Sequence, residues 1–207
     1  MLFFCRADRF TDEFEGYYAN GTREFNRIRY RDMLTPDQIE DVTKVLEERA
    51  LIQRKYVFLN CWHLNNYESH GLWSLYSGNK GIALQSTFAR LRDSFQNNPE
   101  NIFIGKVRYI DWDEGWTPTG TIFEPFLHKR RYFESENELR ALLYYDIDPQ
   151  HYIEYGKHAT VDLDLLIENI YTSPTSQSWF HELVNAVLRK YGLEKSVRIS
   201  KLAEKPV

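Results

Sequence analysis

Past Phe133 the charged residues Glu134, Glu136, Glu138 and Arg140 recur with a period of two, and that period is what an extended strand imposes on one of its faces. His128, Lys129, Arg130 and Arg131 run directly into Glu134, Glu136, Glu138 and Arg140, and the apolar Leu142-Leu143-Tyr144-Tyr145 follows. A strand over 134–145 would put Glu134, Glu136, Glu138 and Arg140 on one face. Three carboxylates in a row repel one another, which raises carboxylate pKa values. Stability alone gives little reason to keep such a row, so it is a candidate site. The alternative is a solvated strand face neutralised by Arg130, Arg131 and Arg140.

The length of 207 residues fits one domain, or a domain with a small appendage. A chain of this size buries roughly 70% of its unfolded surface and needs no covalent staple. Aromatics are 15% of the residues, with 14 Tyr, 13 Phe and 5 Trp; many must be buried, and surplus Tyr and Trp also suit a stacking pocket or an interface. The net charge of -4 supplies no global field for nucleic acid, so phosphate contacts would rest on local clusters. Cys5 and Cys61 form no C-x-x-C pair and no disulfide framework; reduced thiols in a cytoplasmic protein are expected. The opening Leu2-Phe3-Phe4-Cys5 is too short for a signal sequence, and no apolar run approaches the ~20 residues of a membrane span. No membrane partner is expected.

Leu2–Cys5 reads as a strand and residues 17–33 as a long surface loop. Thr35, Pro36 and Gln38 combine a capping residue, a first-turn proline and a capping-box partner, which predicts a helix at about 36–53. Residues 56–62 read as a buried strand. Asn65 and Glu68 resemble a second capping box, before a short helix carrying Leu72, Trp73 and Tyr76. Gly81–Gln85 is a short strand, and Ser86 or Thr87 caps a helix running to about Phe95. Residues 102–109 alternate as a strand and 111–120 form a loop. Residues 139–145, 160–162 and 167–172 are further strand candidates, and 178–191 is a helix closed by Gly192. Strands and short helices without a regular βαβ rhythm predict an α+β fold: one domain over 1–207 with mixed or antiparallel sheets.

Three stretches outside the charged run could carry chemistry. Asn60-Cys61-Trp62-His63 ends a strand, a common place for active-site groups. Cys61 could serve as a nucleophile with His63 as its base, although a cysteine in an apolar strand is more often an inert core residue. Cys61, His63 and His70 match no zinc spacing, and no metal is expected. Ser86 and Thr87 are either an ordinary cap or hydroxyls that hold a polar or phosphorylated ligand. Arg6 either clamps a phosphate or pairs with Asp8, Asp12, Glu13 or Glu15.

Together these stretches resemble an uncharacterised, mostly bacterial family known as a domain of unknown function. The matching pieces are Leu2–Phe10 with Asp12, Phe14, Glu15 and Gly16; Asn60–His63 with Glu68, Trp73 and Tyr76; Gly81–Thr87; Pro125–Arg130 with Phe133, Glu134 and Glu136–Arg140; and Tyr171–Pro174. The resemblance covers nearly the whole chain. Members of that family carry a further strand ahead of this start, so this chain is expected to lack one.

A looser similarity suggests an activity. Arg6, Ser86-Thr87 and Glu136-x-Glu138 follow the order Arg–Ser/Thr–Glu-x-Glu of one class of ADP-ribosyltransferases, with Phe88 where the usual Ser-Thr-Ser has its last serine. That resemblance implies an NAD-consuming enzyme of toxin or defence-effector type, acting on a protein or nucleic-acid acceptor. Its chemistry needs a cation for the pyrophosphate, hydroxyls for the nicotinamide ribose and a carboxylate facing an oxocarbenium-like transition state. Glu138 would be the catalytic carboxylate, Glu136 would orient or activate the acceptor, and Trp73 or Tyr76 would stack on nicotinamide. Arg6, Ser86, Thr87, His128, Lys129, Arg130 and Arg140 complete the expected binding set, with His63 as a further catalytic candidate. Two alternatives stay open. One is a metal-dependent nuclease built on Asp111, Asp113, Glu136 and Glu138, with Lys129 or Arg140 at the scissile phosphate. The other is a non-catalytic module that binds a protein or a nucleotide through its aromatic surface.

Overall fold

The strand that carries Glu138 and Arg140 forms, but later than the period-two pattern predicts. The computed structural model describes residues 1–148 and 153–206. Its strands are β1 (Leu2–Arg6), β2 (Val57–His63), β3 (Ile82–Gln85), β4 (Phe103–Lys106), β5 (Arg108–Ile110), β6 (His128–Arg130), β7 (Glu138–Tyr144), β8 (Gly156–Ala159), β9 (Asn169–Thr172) and β10 (Val197–Ile199). Its helices are α1 (Gly21–Tyr30), α2 (Pro36–Gln53), α3 (His70–Tyr76), α4 (Phe88–Ser94), α5 (Leu163–Leu166) and α6 (Ser178–Lys190). The fold is α+β, with mixed and antiparallel sheets. None of the helices is long and apolar enough to cross a membrane.

The chain divides into two units. The larger holds Leu2–Leu64 and Glu100–Ala159. Its sheet has the order β4-β7-β2-β1-β8, antiparallel throughout. The apolar strands sit in the middle, so Val57, Phe58, Leu59, Leu142 and Leu143 are almost fully buried. Ala7, Val57, Leu59, Phe126 and Leu142 form the core cluster, with Phe10, Phe123, Leu127 and Tyr144 packed on it. Each such large side chain contributes about 1.5–3 kcal/mol by leaving water. The smaller unit holds Asn65–Pro99 and the chain from Thr160 onward. Its sheet has the order β10-β9-β3, with β9 parallel to β10 and antiparallel to β3.

Helix α2 has the expected limits because its signals are local. Thr35 accepts from the Gln38 amide, the Gln38 side chain accepts from the Thr35 amide, and Pro36 opens the first turn. Other expectations need correction. Residues 17–33 are not a long loop, since α1 occupies much of that span. Its inward residues are the polar Thr22 and Asn26, the latter bonded to Thr43 Oγ1 at 3.2 Å, so no apolar periodicity marks it. Asn65 and Glu68 do not form a capping box; Ser69 caps α3, and Glu68 accepts from Trp73 Nε1 at 2.9 Å and the Lys201 amide. Residues 160–162 are not a strand, and Asp162 instead caps α5 by accepting from the Leu165 amide. Residues 102–109 divide at Val107. Its N–H still reaches the Glu138 carbonyl, while the Arg108 N–H has turned to Leu127. From there β5 pairs with β6 in parallel.

Candidate functional site

The glutamate row does not exist as a single strand face. Arg131–Glu136 form a short 3-10 helix, Asn137 adopts the left-handed conformation at φ +38°, and β7 begins only at Glu138. The reason is pairing: β7 takes its register from β2, which ends at His63, opposite Glu138. Glu134 is thereby turned to solvent. Glu136 and Glu138 converge instead on one ammonium group. Lys129 Nζ donates to Glu136 Oε2 at 2.5 Å and to Glu138 Oε1 at 2.9 Å.

Behind this pair the charges continue inward. Glu138 and Arg140 lie on the same face of β7, and Arg140 Nε donates to Glu138 Oε2 at 2.7 Å. The other edge of the guanidinium grips Glu15 with a planar fork, at 2.7 and 2.9 Å, and Nη1 also reaches the Phe126 carbonyl. Arg140 is fully buried and Glu15 nearly so, whereas the Glu136 side chain keeps 20% of its surface exposed. The chain of charges runs Glu15, Arg140, Glu138, Lys129, Glu136, from the interior to solvent. Three carboxyl groups share two cations.

That imbalance divides the proton affinities. Burial pushes the Glu138 carboxyl up, but Arg140, then the hydrogen bond with Glu136, then Lys129 overcome it and hold Glu138 well below the ordinary glutamate value. Glu136 moves the other way, because partial burial and its hydrogen bond with Glu138 outweigh Lys129. Burial would lower Lys129, yet the two carboxylates carry it up to about 12. Burial likewise pushes Glu15 up against the pull of Arg140. The site therefore holds a fixed carboxylate beside a carboxyl that retains its proton to higher pH, the arrangement that separates acid from base roles in paired-carboxyl enzymes.

Other groups surround the pair. The His63 Nδ1 lies 2.6 Å from the Glu136 carbonyl, so that nitrogen carries the proton, and Nε2 is buried without a partner among the described residues. Cys61 stands opposite Arg140 in the β2–β7 register. Although the residue as a whole is exposed, its thiol faces the charges; desolvation, reinforced by Glu138, pushes it far up. A thiol held protonated in this way is a poor nucleophile. Tyr109 accepts the Glu138 N–H at 2.8 Å. Arg130 pairs with Asp12 at 2.8 Å and lies 4.0 Å from the Phe14 ring.

The remaining expected residues are engaged elsewhere. Arg6 is 2% exposed; it pairs with Asp8 at 2.6 Å and donates to the Ile153 carbonyl. His128 lines a cleft in the larger unit, with Nδ1 2.8 Å from the Glu124 carbonyl. In the smaller unit, Ser86 Oγ donates to the Leu166 carbonyl at 2.6 Å and Thr87 caps α4 through the Arg90 amide. Trp73 is 8% exposed and Tyr76 is 76% exposed. Asp111 accepts from the amides of Asp113 and Glu114, which lower its pKa, while Asp113 accepts from Asn20. Among the described residues no three His, Cys, Asp or Glu side chains gather as a metal site would require. Glu15 and Tyr109 are the members that sequence reasoning missed. Glu15 was visible as an acidic neighbour of Arg6 and as part of the resembling stretch with Asp12, Phe14 and Gly16, but not as a partner of Arg140, and nothing marked Tyr109 beyond its place at a strand end.

Compared with models of protein families, with curated proteins and with solved structures, the chain matches none.

Proposed function

We propose that this protein transfers or hydrolyses a glycosyl group, with NAD as the donor, in the manner of an ADP-ribosyltransferase. The observation that carries the reading is the Glu136–Glu138 pair, held on one ammonium with proton affinities driven apart. Glu136 is the more exposed of the two. Its raised pKa moves it toward working pH, where a general base is most effective. It takes the proton of the attacking acceptor. Glu138 stays ionised and supplies a standing negative charge toward an oxocarbenium-like sugar. The acceptor forms a bond to the anomeric carbon, the carbon–nitrogen bond breaks, and its electron pair leaves on the pyridine nitrogen as neutral nicotinamide. The order of Arg6, Ser86-Thr87 and Glu136-x-Glu138 along the chain supports the same chemistry.

The test is nicotinamide release from NAD by the purified protein, with cell lysate as a source of acceptors, beside Glu136→Gln and Glu138→Gln variants shown to be folded. Release that falls on the order of a hundredfold in both variants is expected. Folded protein that releases none with protein or nucleic-acid acceptors would sink the reading.

One observation favours a non-catalytic module instead. Every charge of the network already has a partner within the larger unit, as a purely structural strut would require. In that case Glu136→Gln leaves all binding intact and stabilises the fold by removing the surplus carboxyl group.

A further inference from the structure

Beside the charge network the larger unit has a cleft of about 670 Å³, within the usual range for small-molecule sites. Lys106, Arg108, Tyr109, Glu124, His128 and Glu134 are among its lining residues. The chain builds it where Val107 turns from β7 toward β6. Val107 is buried, so its neighbours Lys106 and Arg108 both face outward, two positions apart. Neither side chain forms an ion pair or a hydrogen bond among the described residues. Two unsatisfied cations side by side at a cavity wall present a point charge and a planar fork, the combination that suits phosphate oxygens.

The same wall carries acceptors. Glu134 is exposed and its carboxylate holds no cation among the described residues; the Glu124 carboxylate lies 3.7 Å from His128 Nδ1. Because His128 Nδ1 faces a carbonyl oxygen, that nitrogen carries the proton, and the neutral ring keeps Nε2 as an acceptor. Desolvation lowers the affinity of His128 for a second proton. A ligand for this cleft therefore needs an anionic end and a hydroxyl- or amine-bearing end. The volume is too large for a phosphate ion alone.

We propose that this cleft binds a nucleoside diphosphate, with Lys106 and Arg108 on the phosphates and Glu124, Glu134 and His128 accepting from the ribose hydroxyls or base amine. The assignment goes beyond glycosyl transfer and stands without it, because it concerns binding alone. Two lining residues bond the backbone of Glu138: Tyr109 accepts its N–H and the Val107 N–H donates to its carbonyl.

The probe is ADP, which contains no nicotinamide bond to cleave. Calorimetric titration is run with ADP, inorganic pyrophosphate and adenosine on the wild-type chain, on Lys106→Ala/Arg108→Ala and on Glu136→Gln. The expected result is saturable ADP binding that weakens with salt. It should fall on the order of tenfold or more in the double variant and stay unchanged in Glu136→Gln. Pyrophosphate and adenosine should each bind more weakly than ADP. Absence of ADP binding, equal binding of pyrophosphate and ADP, or affinity unchanged by the double substitution overturns the proposal. Lys106 and Arg108 are exposed, so an unchanged thermal midpoint separates lost binding from lost folding. A negative nicotinamide assay leaves this result untouched.

Discussion

Arg140 serves two buried carboxylates at once, so the energetics of the site do not reduce to one ion pair. Burying an ion costs several kcal/mol, and the cost is offset only when geometry and hydrogen bonding are both satisfied. Here Glu15 takes one edge of the guanidinium and Glu138 another. Opposite pKa shifts in neighbouring carboxyls give opposite pH dependences. Glu138 is depressed below the ordinary 4.5. Its contribution to stability is therefore complete above the unfolded value and is lost as pH falls through the folded one. Glu136 is raised from 4.5, so its contribution is present below that value and is lost as pH rises through its folded pKa. In urea unfolding from about pH 3 to about pH 8, Glu138→Gln should be less stable overall but flatter on the acid side. Glu136→Gln should lose the decline above 4.5 and be the more stable protein at neutral pH. An acid limb that Glu138→Gln leaves as steep as in the wild type would mean that the network does not hold that charge.

At the scale of elements, the positioning of Glu136 depends on one backbone conformation. Asn137 sits at φ +38° between the 3-10 helix and β7, and its side chain donates to the Leu64 carbonyl. Only glycine, and less readily asparagine or aspartate, visits that region without strain. Asn137→Ala should destabilise by about 1–3 kcal/mol, the left-handed cost plus the lost hydrogen bond. Asn137→Gly should keep the turn and lose only the bond. Chemical denaturation of the pair checks this, and equal losses in both would place the cost outside the backbone. This turn also marks where sequence reading stops. The clustering of Lys129, Glu136, Glu138 and Arg140 was legible because those residues are near in sequence. The break at Asn137 was not, because pairing of His63 with Glu138 sets it. Glu15, 125 positions from Arg140, reaches the site by tertiary folding alone. Helix α2 was readable from its capping box, whereas α1 was hidden because its inward side is Thr22 and Asn26. Lys106 and Arg108 were overlooked because their strand looked continuous to Tyr109, and only the turn at Val107 makes the cleft.

Across the whole molecule, burial is unevenly distributed, and exchange of backbone amides should report it. Strand β7 is flanked by β2 on one side and β4 on the other, and residues Glu138–Leu143 are all buried. Its amides have no edge open to water, and opening them requires the core around Val57, Leu59 and Leu142 to come apart. In the smaller unit β9 is the central strand, with Ile170 and Thr172 buried. Helix α6, by contrast, has no buried residue along its 13 positions, and Trp179, Leu183 and Val187 are all substantially exposed. Isolated helices of about that length are marginal in water, so little holds α6 closed against local opening. Native-state hydrogen exchange should therefore rank β2 and β7 slowest, at free energies near that of global unfolding, then β9, with α6 exchanging through low-energy openings. Because local openings do not involve the core, mild denaturant should leave α6 rates nearly constant while accelerating those of β7. If the amides of α6 proved as protected and as denaturant-sensitive as Leu142, the apolar side of that helix would have to be covered in solution, and a partner for Trp179, Leu183 and Val187 would have to be sought.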